Sequence, residues 1–283
     1  MIEEWLKKYD VSSTEDLLSA KREIMQEVAL AGLSRGGFFN HATFYGGTAL
    51  RIFHGLKRYS EDLDFSLNYV EEQFSLEDYF QSIKEEFLIL GLDVNLNIKK
   101  EVNTSSVESA FLKENAIWGM ISLKEEFRPE KFFPHIKIKI EVDRTPPLLF
   151  KKEQLLLTNP YSFYVSCMTL ESLFAGKIHA VLFRNWKSRV KGRDWYDLEW
   201  YIRKGVKLDL NSFLDRCINT GNFPKDKLEL QQDEFMELIE AKIETLNIES
   251  AKDDVKIFIA AKESLNIWSK KYFMDLVQHL KFG

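Results

Sequence analysis

Residues 44–67 read FYGGTALRIFHGLKRYSEDLDFSL, and the spacing of glycines, apolar residues and acids in this stretch decides the fold. A short strand is predicted to run into the diglycine Gly46–Gly47, and a helical pattern follows over 48–55. Glycines between a strand and a helix let backbone N–H groups face a phosphate at close range. Thr48 is placed to cap this helix or to donate its hydroxyl to the phosphate, and Arg51 adds positive charge. A plain tight turn is the alternative for a diglycine taken alone.

Two aspartates, Asp62 and Asp64, stand two positions apart on a predicted strand. Residues at this spacing lie on the same face of a strand, so the two carboxylates are neighbours. Adjacent carboxylates repel each other unless a cation lies between them. Mg²⁺ suits this arrangement, because it takes one or two carboxylates and fills its other positions with water and phosphate oxygens. Leu63 and Phe65 point to the opposite face and anchor the strand, and a solvated strand end is the alternative.

A third acid comes from HIKIKIEVDR, residues 135–144, where apolar and charged residues alternate as in a strand with one buried face. Glu141 lies on the charged face. If this strand pairs beside 63–65, Glu141 completes a three-carboxylate cage for two metal ions, which would activate an attacking hydroxyl and stabilise the leaving pyrophosphate. Asp143 is the second choice for this role. The alternative is an exposed strand face with charge pairs of the Lys137 and Glu141 type.

A second set of charged residues lies in LESLFAGKIHAVLFRNWKSRVKGRDWYDLEWYI, residues 170–202. Lys177 and Arg184 share one helical face, and Asp194 and Asp197 open a new helix after a glycine. The basic residues between 184 and 193 are not interrupted by any acid, and they are Arg184, Lys187, Arg189, Lys191 and Arg193. Ordinary structural roles remain open for each feature: a lysine that reaches solvent, an acid in a first helical turn, and a solvated basic face.

The composition is that of a globular protein: 283 residues, 45% hydrophobic and 29% charged, with a net charge of −5. That charge argues against a surface wholly devoted to nucleic acid, but it leaves room for a local basic groove. The two cysteines match no metal or disulfide spacing, which fits a reducing compartment. The N-terminus lacks a signal-peptide pattern, and no apolar run is long enough to span a bilayer. We therefore expect a cytoplasmic protein without a membrane segment.

The pattern predicts an α/β (α+β) fold in which a mixed sheet flanked by helices is followed by a C-terminal helical bundle. Helical periodicity covers 14–35, and long helical patterns dominate from about residue 169 to the end. The expected division is an α/β domain at 1–150 and a helical domain at 151–283, with the active site in the cleft between them.

In combination, GGTALR, RYSEDLDF and the later IEV resemble the nucleotidyltransferase superfamily, and the first two are similar to the AbiEii/AbiGii toxin family. The later K-x-x-A-x-x-x-R and K-x-R-D-x-x-D-L extend this resemblance. It implies that Lys177 holds the nucleoside triphosphate with support from Arg184, that Asp194 is a base or an organiser, and that Asp197 maintains a local network. The expected metal is Mg²⁺, with Mn²⁺ as the alternative, held by Asp62, Asp64 and Glu141. The other expected nucleotide-binding residues are Gly46, Gly47, Thr48, Arg51 and Ser60.

The resemblance also implies an activity: transfer of a nucleoside monophosphate from an NTP to an acceptor hydroxyl. Relatives suggest RNA as the acceptor, particularly the tRNA 3′ end, so that translation stops and the cell arrests growth or aborts a phage infection. A cognate antitoxin is the expected partner. Two alternatives stay open, namely transfer to a protein side chain and a catalytically silent NTP-binding module that acts through a partner.

Overall fold

The chain is described by a computed structural model over residues 2–71, 73–99, 116–123, 136–144, 149–184, 190–259 and 264–283. Two short 3-10 turns, Phe38–Asn40 and Leu76–Tyr79, accompany the helices and strands. The helices are α1 Ile2–Leu6, α2 Thr14–Arg35, α3 Gly46–His54, α4 Phe80–Ile89, α5 Leu170–Phe183, α6 Gly192–Lys204, α7 Leu210–Asn219, α8 Gln232–Glu244, α9 Ile248–Lys256 and α10 Lys270–Val277. The strands are β1 Ala42–Tyr45, β2 Asp62–Leu67, β3 Val94–Lys99, β4 Ala116–Leu123, β5 Lys137–Asp143, β6 Lys152–Leu157, β7 Phe163–Met168, β8 Lys207–Leu208 and β9 Lys281–Phe282.

The chain forms two compact units. The first comprises Met1–Gly55, Tyr59–Leu148 and Lys152–Cys167, and the second comprises Leu56–Arg58, Leu149–Lys151 and Met168–Gly283. The expected division at residue 150 places Leu56–Arg58 in the α/β domain and the strands β6 and β7 in the helical domain, whereas each lies in the other unit. The sequence did not predict these strands, which join the first unit because β7 pairs with β1.

The first unit contains a seven-stranded mixed sheet in the order β3-β4-β5-β2-β1-β7-β6. Strand β2, which carries the two aspartates, runs antiparallel to β1 and parallel to β5. The predicted pairing of β2 with the isoleucine-rich strand is therefore confirmed, with Leu63 opposite Ile140. This mixed α/β fold is the one that the sequence predicts.

The alternation of apolar and charged residues explains which face of β2 and β5 is buried. Ile138, Ile140 and Val142 are fully buried, whereas the charged residues between them are partly exposed. Phe65 of β2 packs edge-on against Phe38, with ring centroids 4.8 Å apart. One face of each strand is thus fixed in the core, and the other face carries the acids.

The second unit is mainly helical, as predicted, and its helices run from α5 to α10. It also contains a two-stranded parallel sheet of β8 and β9, which the sequence did not predict. Both cysteines are buried and unpaired. Within the described ranges, no helix combines the length and the apolar character that crossing a bilayer requires.

Gly192, at the start of α6, allows this helix to approach α9 closely. A Cβ atom at this position would lie 1.8 Å from the carbonyl oxygen of Ala251. We therefore expect Gly192→Ala to lower the free energy of unfolding by about 1–3 kcal/mol, because the helices must separate. Urea titration measures this change.

The matched control is Gly176→Ala within α5, where a Cβ atom would meet only Arg216 side-chain atoms at 3.8 Å. Alanine should stabilise that helix by roughly 0.5–1 kcal/mol, because glycine loses more backbone entropy on folding. Equal effects of the two substitutions would show that the approach at Gly192 is not tight.

Candidate active site

The diglycine lies at the junction of β1 and α3, directly beside one of the two aspartates. Helix α3 begins at Gly46 itself, two residues earlier than predicted. Gly46 has φ +84°, a left-handed conformation that side chains rarely adopt. The residue before it, Tyr45, pairs across the sheet with Asp64 of β2. A Cβ atom on Gly46 would lie 2.2 Å from Oδ2 of Asp64, so only glycine leaves room for this carboxylate.

The substitution Gly46→Ala should therefore damage activity more than stability. The left-handed backbone alone costs alanine about 1–2 kcal/mol. In addition, the new methyl group must displace the Asp64 carboxylate. A displacement of about 1 Å in a catalytic group lowers a catalysed rate by about a hundredfold. The rate of nucleotidyl transfer and the urea midpoint measure the two effects separately.

Gly55→Ala is the control for this substitution. Gly55 has φ +79°, but a Cβ atom there would meet nothing within 4 Å. It should show a similar loss of stability with nearly the wild-type rate. A comparable loss of rate in both variants would contradict the close contact between Gly46 and Asp64.

Thr48 and Arg51 are both engaged within the protein. Thr48 is buried, and its hydroxyl donates to the carbonyl oxygen of Asp62. Thr48 does not cap α3, because the capping position is Tyr45. Its side chain links α3 to the start of β2. The expected contact between this hydroxyl and a phosphate stays a prediction.

Arg51 forms an ion pair with Glu23 of α2, with Nε 2.8 Å from Oε2, and its guanidinium stacks over the ring of Tyr59. Its charge is thus largely neutralised by Glu23. The expected role of Arg51 in phosphate binding stays a prediction. Ser60 lies just before β2, and its carbonyl oxygen accepts a hydrogen bond from Nε2 of the buried Gln26. This bond holds the backbone of Ser60, and its side chain is only partly exposed.

Four acids of β2 and β5 lie on the same face of the sheet, namely Asp62, Asp64, Glu141 and Asp143. Asp64 pairs in register with Glu141, and Asp62 pairs with Lys139. Asp143 lies one step further along β5, opposite Ser66, so Glu141 is the acid nearest to Asp64 in the sheet register. This register favours Glu141 over Asp143 as the third carboxylate.

Glu141 is in an unfavourable environment for a negative charge. Burial raises its pKa most, and the neighbouring Asp64 and Asp62 add to the rise, while Lys139 opposes it. The pKa reaches about 8. Lys139 Nζ lies 3.4 Å from Oε2 of Glu141. If Asp62, Asp64 and Glu141 are all ionised, their negative charge exceeds the positive charge of Lys139, and a divalent cation would neutralise the excess.

The acids do not form a ready metal cage. Among the described residues, no three His, Cys, Asp or Glu side chains are grouped so that they could hold a metal ion by themselves. The expected three-carboxylate cage stays a prediction. The donor chemistry still fits Mg²⁺, because this ion needs only one or two carboxylates and takes its other ligands from water and phosphate. Asp62 and Asp64 would hold the ion, and it would bring electrostatic stabilisation of a transferring phosphoryl group.

Lys177 is the centre of the second set of residues, which lies within the second unit. Its Nζ is 2.8 Å from Oδ1 of Asp194 and 2.8 Å from Oδ2 of Asp197. Arg184 approaches Asp194 from another side, with Nη1 3.7 Å from Oδ2. An ammonium group has three hydrogen-bond donors, and these two carboxylates use two of them. Of the basic run, Lys187 and Arg189 lie outside the described residues.

Asp194 acts as an organiser in this network. Burial alone would raise its pKa, but Lys177 and Arg184 together lower it to about 2. A carboxyl group with so low a pKa is a weak base near neutral pH. Of the two roles that the resemblance implies for Asp194, the geometry therefore favours the orientation of Lys177 over proton transfer.

Arg58 belongs to the same network, and the sequence reading did not identify it. Its guanidinium is buried and binds Asp197 through two parallel hydrogen bonds, from Nε to Oδ1 and from Nη2 to Oδ2, each 2.6 Å long. Arg58 and Asp197 are 139 residues apart. The position of Arg58 in RYSEDLDF was the only signal in the sequence, and it does not reveal a partner so distant along the chain.

In this mixed α/β fold, two carboxylates of one strand lie beside a helix that begins at a diglycine. This is the arrangement of a nucleotidyltransferase. Residues 28–272 match the family model described as nucleotidyl transferase AbiEii toxin, type IV toxin–antitoxin system. The chain belongs to this family and is a nucleotidyltransferase toxin. No curated protein matches the sequence at a significant level.

Solved structures share the fold. MenT4, a nucleotidyltransferase toxin from Mycobacterium tuberculosis H37Rv, superposes with a TM-score of 0.61 at 16% identity, covering 99% of this chain and 89% of that one. JHP933 from Helicobacter pylori gives a TM-score of 0.54 at 16% identity, covering 92% and 89%. A further H. pylori structure, titled a putative nucleotidyltransferase, gives 0.51 at 15% identity, covering 92% of each chain.

Proposed function

We propose that this toxin uses Mg²⁺, or Mn²⁺ in its place, to transfer a nucleoside monophosphate from an NTP to a hydroxyl group of an RNA acceptor. The observation that carries the proposal is the position of Asp64. This aspartate lies against Gly46 on one side and pairs with Glu141 on the other. A phosphate on the diglycine and a cation on the carboxylates would therefore be immediate neighbours.

The reaction follows from the chemistry of these groups. The oxygen of the acceptor hydroxyl forms a bond to the α-phosphorus of the NTP, the bond from that phosphorus to the bridging oxygen breaks, and pyrophosphate leaves. A cation on Asp62 and Asp64 would offset the repulsion that raises the pKa of Glu141, so that its ionised carboxylate could accept the hydroxyl proton. Asp62 and Asp64 supply carboxylate oxygens that hold the metal ion.

The triphosphate needs positive partners, because negative charge accumulates on the leaving pyrophosphate. Backbone N–H groups at the diglycine and the start of α3 supply part of this stabilisation. Lys177 supplies the rest through the third donor of its ammonium group, while Asp194 and Asp197 fix its position. Arg184 supports the same charge.

RNA, and the tRNA 3′ end in particular, is the acceptor that the family resemblance suggests. In this account, modified RNA no longer supports translation, so the toxin arrests growth or aborts a phage infection in the cytoplasm until its antitoxin counteracts it. Basic residues near α6, such as Lys191 and Arg193, suit an RNA backbone. Transfer to a protein side chain is the second candidate.

The test is incubation with each α-labelled NTP, Mg²⁺ and total cellular RNA and protein, beside an Asp62→Ala/Asp64→Ala control. Label in RNA that is absent from the control would support the proposal and name the nucleotide. Label in protein alone would overturn RNA as the acceptor. NTP binding without any label would contradict catalysis and favour a silent NTP-binding module.

A further inference from the structure

The second unit contains a pocket of about 150 Å³ between α5, α6 and α8. A water molecule occupies about 30 Å³ of liquid, so the pocket has room for one phosphate group with a few waters. Pockets that accept whole nucleotide-sized ligands are typically about 300 Å³ or larger. The polar and aromatic residues that matter here are Arg184, Lys191, Asp194, Trp195, Lys242 and Thr245.

The charge of this pocket favours an anion. Arg184, Lys191 and Lys242 line it together with the carboxylate of Asp194, and Arg184 already pairs with that carboxylate. That carboxylate already binds Lys177, so it repels an incoming anion only weakly. Lys242 thus lies in the wall of a partly enclosed space, where screening by salt is weaker than on an open surface.

Lys242 is the residue that the network around Asp194 does not explain. It lies on α8 and is partly buried, and burial lowers the pKa of its ammonium group. Within the described part of the chain, its ammonium forms no hydrogen bond or ion pair. A partly desolvated cation without a partner is unfavourable, and an anion in the pocket would offset this cost.

A helix-capping role for Lys242 is not needed. Lysines near a helix C-terminus often stabilise the last carbonyl groups. At the end of α8, however, the hydroxyl of Thr245 donates to the carbonyl oxygen of Lys242 at 2.9 Å. The ammonium of Lys270 donates to the carbonyl oxygen of Glu244. These bonds satisfy carbonyl groups of the last turn without the Lys242 side chain.

We propose that this pocket binds a backbone phosphate of the RNA acceptor, with Lys242 as the principal cationic partner and Lys191 beside it. The assignment to RNA rests on the proposed function above. The volume suits a single phosphate and not a whole NTP. Among the described residues that line the pocket, the one aromatic side chain is the indole of Trp195, which is buried and does not offer its face to a base. The contact is therefore independent of sequence and holds the acceptor strand by its backbone.

The test compares Lys242→Gln with Lys271→Gln in the full chain. Lys271 is 85% exposed and pairs with Asp275 on α10, so its substitution removes the same charge from the same unit at the surface. Fluorescence anisotropy measures the affinity for a short labelled single-stranded RNA at several salt concentrations. Lys242→Gln should weaken binding about fivefold to tenfold and reduce the salt slope by about 0.7, the loss of one phosphate contact to a single strand.

The outcomes separate this proposal from the proposed function. Equal RNA affinity in the two variants, with both thermal midpoints unchanged, would overturn the phosphate site while transfer of label by the wild type stands. Weaker binding of labelled NTP in Lys242→Gln, with RNA binding intact, would overturn the assignment to the acceptor. If Lys242→Gln weakens RNA binding but the wild type transfers no label, the phosphate site stands and the proposed catalysis fails.

Discussion

Replacement of Asp64 by asparagine is expected to lower the rate of nucleotidyl transfer by at least about a hundredfold. Asparagine keeps the shape of the side chain but removes the charge that binds the metal ion beside the diglycine. Stability should not fall, because the substitution also removes the repulsion that Asp64 exerts on Glu141. Label transfer from an α-labelled NTP measures the rate, and urea unfolding without added metal measures the stability.

Glu61→Gln is the matched control for this experiment. Glu61 also stands in RYSEDLDF, but it precedes β2 and pairs with Arg22, and 41% of its side chain is exposed. This variant should retain nearly the wild-type rate. An Asp64→Asn protein that also retained the wild-type rate would remove Asp64 from the metal site.

Replacement of Arg58 by methionine should lower the free energy of unfolding by about 3–5 kcal/mol, because it leaves the buried carboxylate of Asp197 without its bidentate partner. Arg58 and Asp197 are both almost fully buried, so solvent cannot replace the lost bonds. Lys177 remains beside Asp197 and limits the loss. Urea unfolding of the purified variant measures the effect.

The double variant Arg58→Met/Asp197→Leu tests the cause. Removal of both charges leaves no buried ion without a partner, so it should recover part of the lost stability. If Arg58→Met instead changed stability by less than about 1 kcal/mol, the pair would behave like an exposed salt bridge, and its role as an anchor of the Lys177 network would be contradicted.

The sequence predicted the fold well where a local pattern determines it. The diglycine, the alternating strand of Ile138 and Ile140, and the two-residue spacing of Asp62 and Asp64 each restrict the backbone within a few residues. Burial of one face then allows few alternatives for the register of β2 and β5, because a shift by one residue would bury the acids. The nucleotidyltransferase fold followed from these elements together.

The remaining features depend on contacts between residues far apart in the sequence. Nothing near Arg58 indicates its pairing with Asp197, and nothing near Lys242 indicates that α8 lines a pocket beside Asp194. The internal bonds of Thr48 and Arg51 were likewise not predicted, because a hydroxyl or guanidinium near a diglycine can bind a ligand or another part of the protein. The bonds to the Asp62 carbonyl oxygen and to Glu23 follow only from the folded positions of these groups.

Metal dependence is the most direct test of the central claim that the carboxylates of β2 act through a divalent cation. The measurement is label transfer by the wild-type protein after treatment with EDTA, followed by addition of Mg²⁺ or Mn²⁺. We expect no transfer in EDTA and full recovery with Mg²⁺ or Mn²⁺, but no recovery in Asp64→Asn. Transfer that continued unchanged in EDTA would contradict the account, because it would show that Asp62 and Asp64 act without a metal ion.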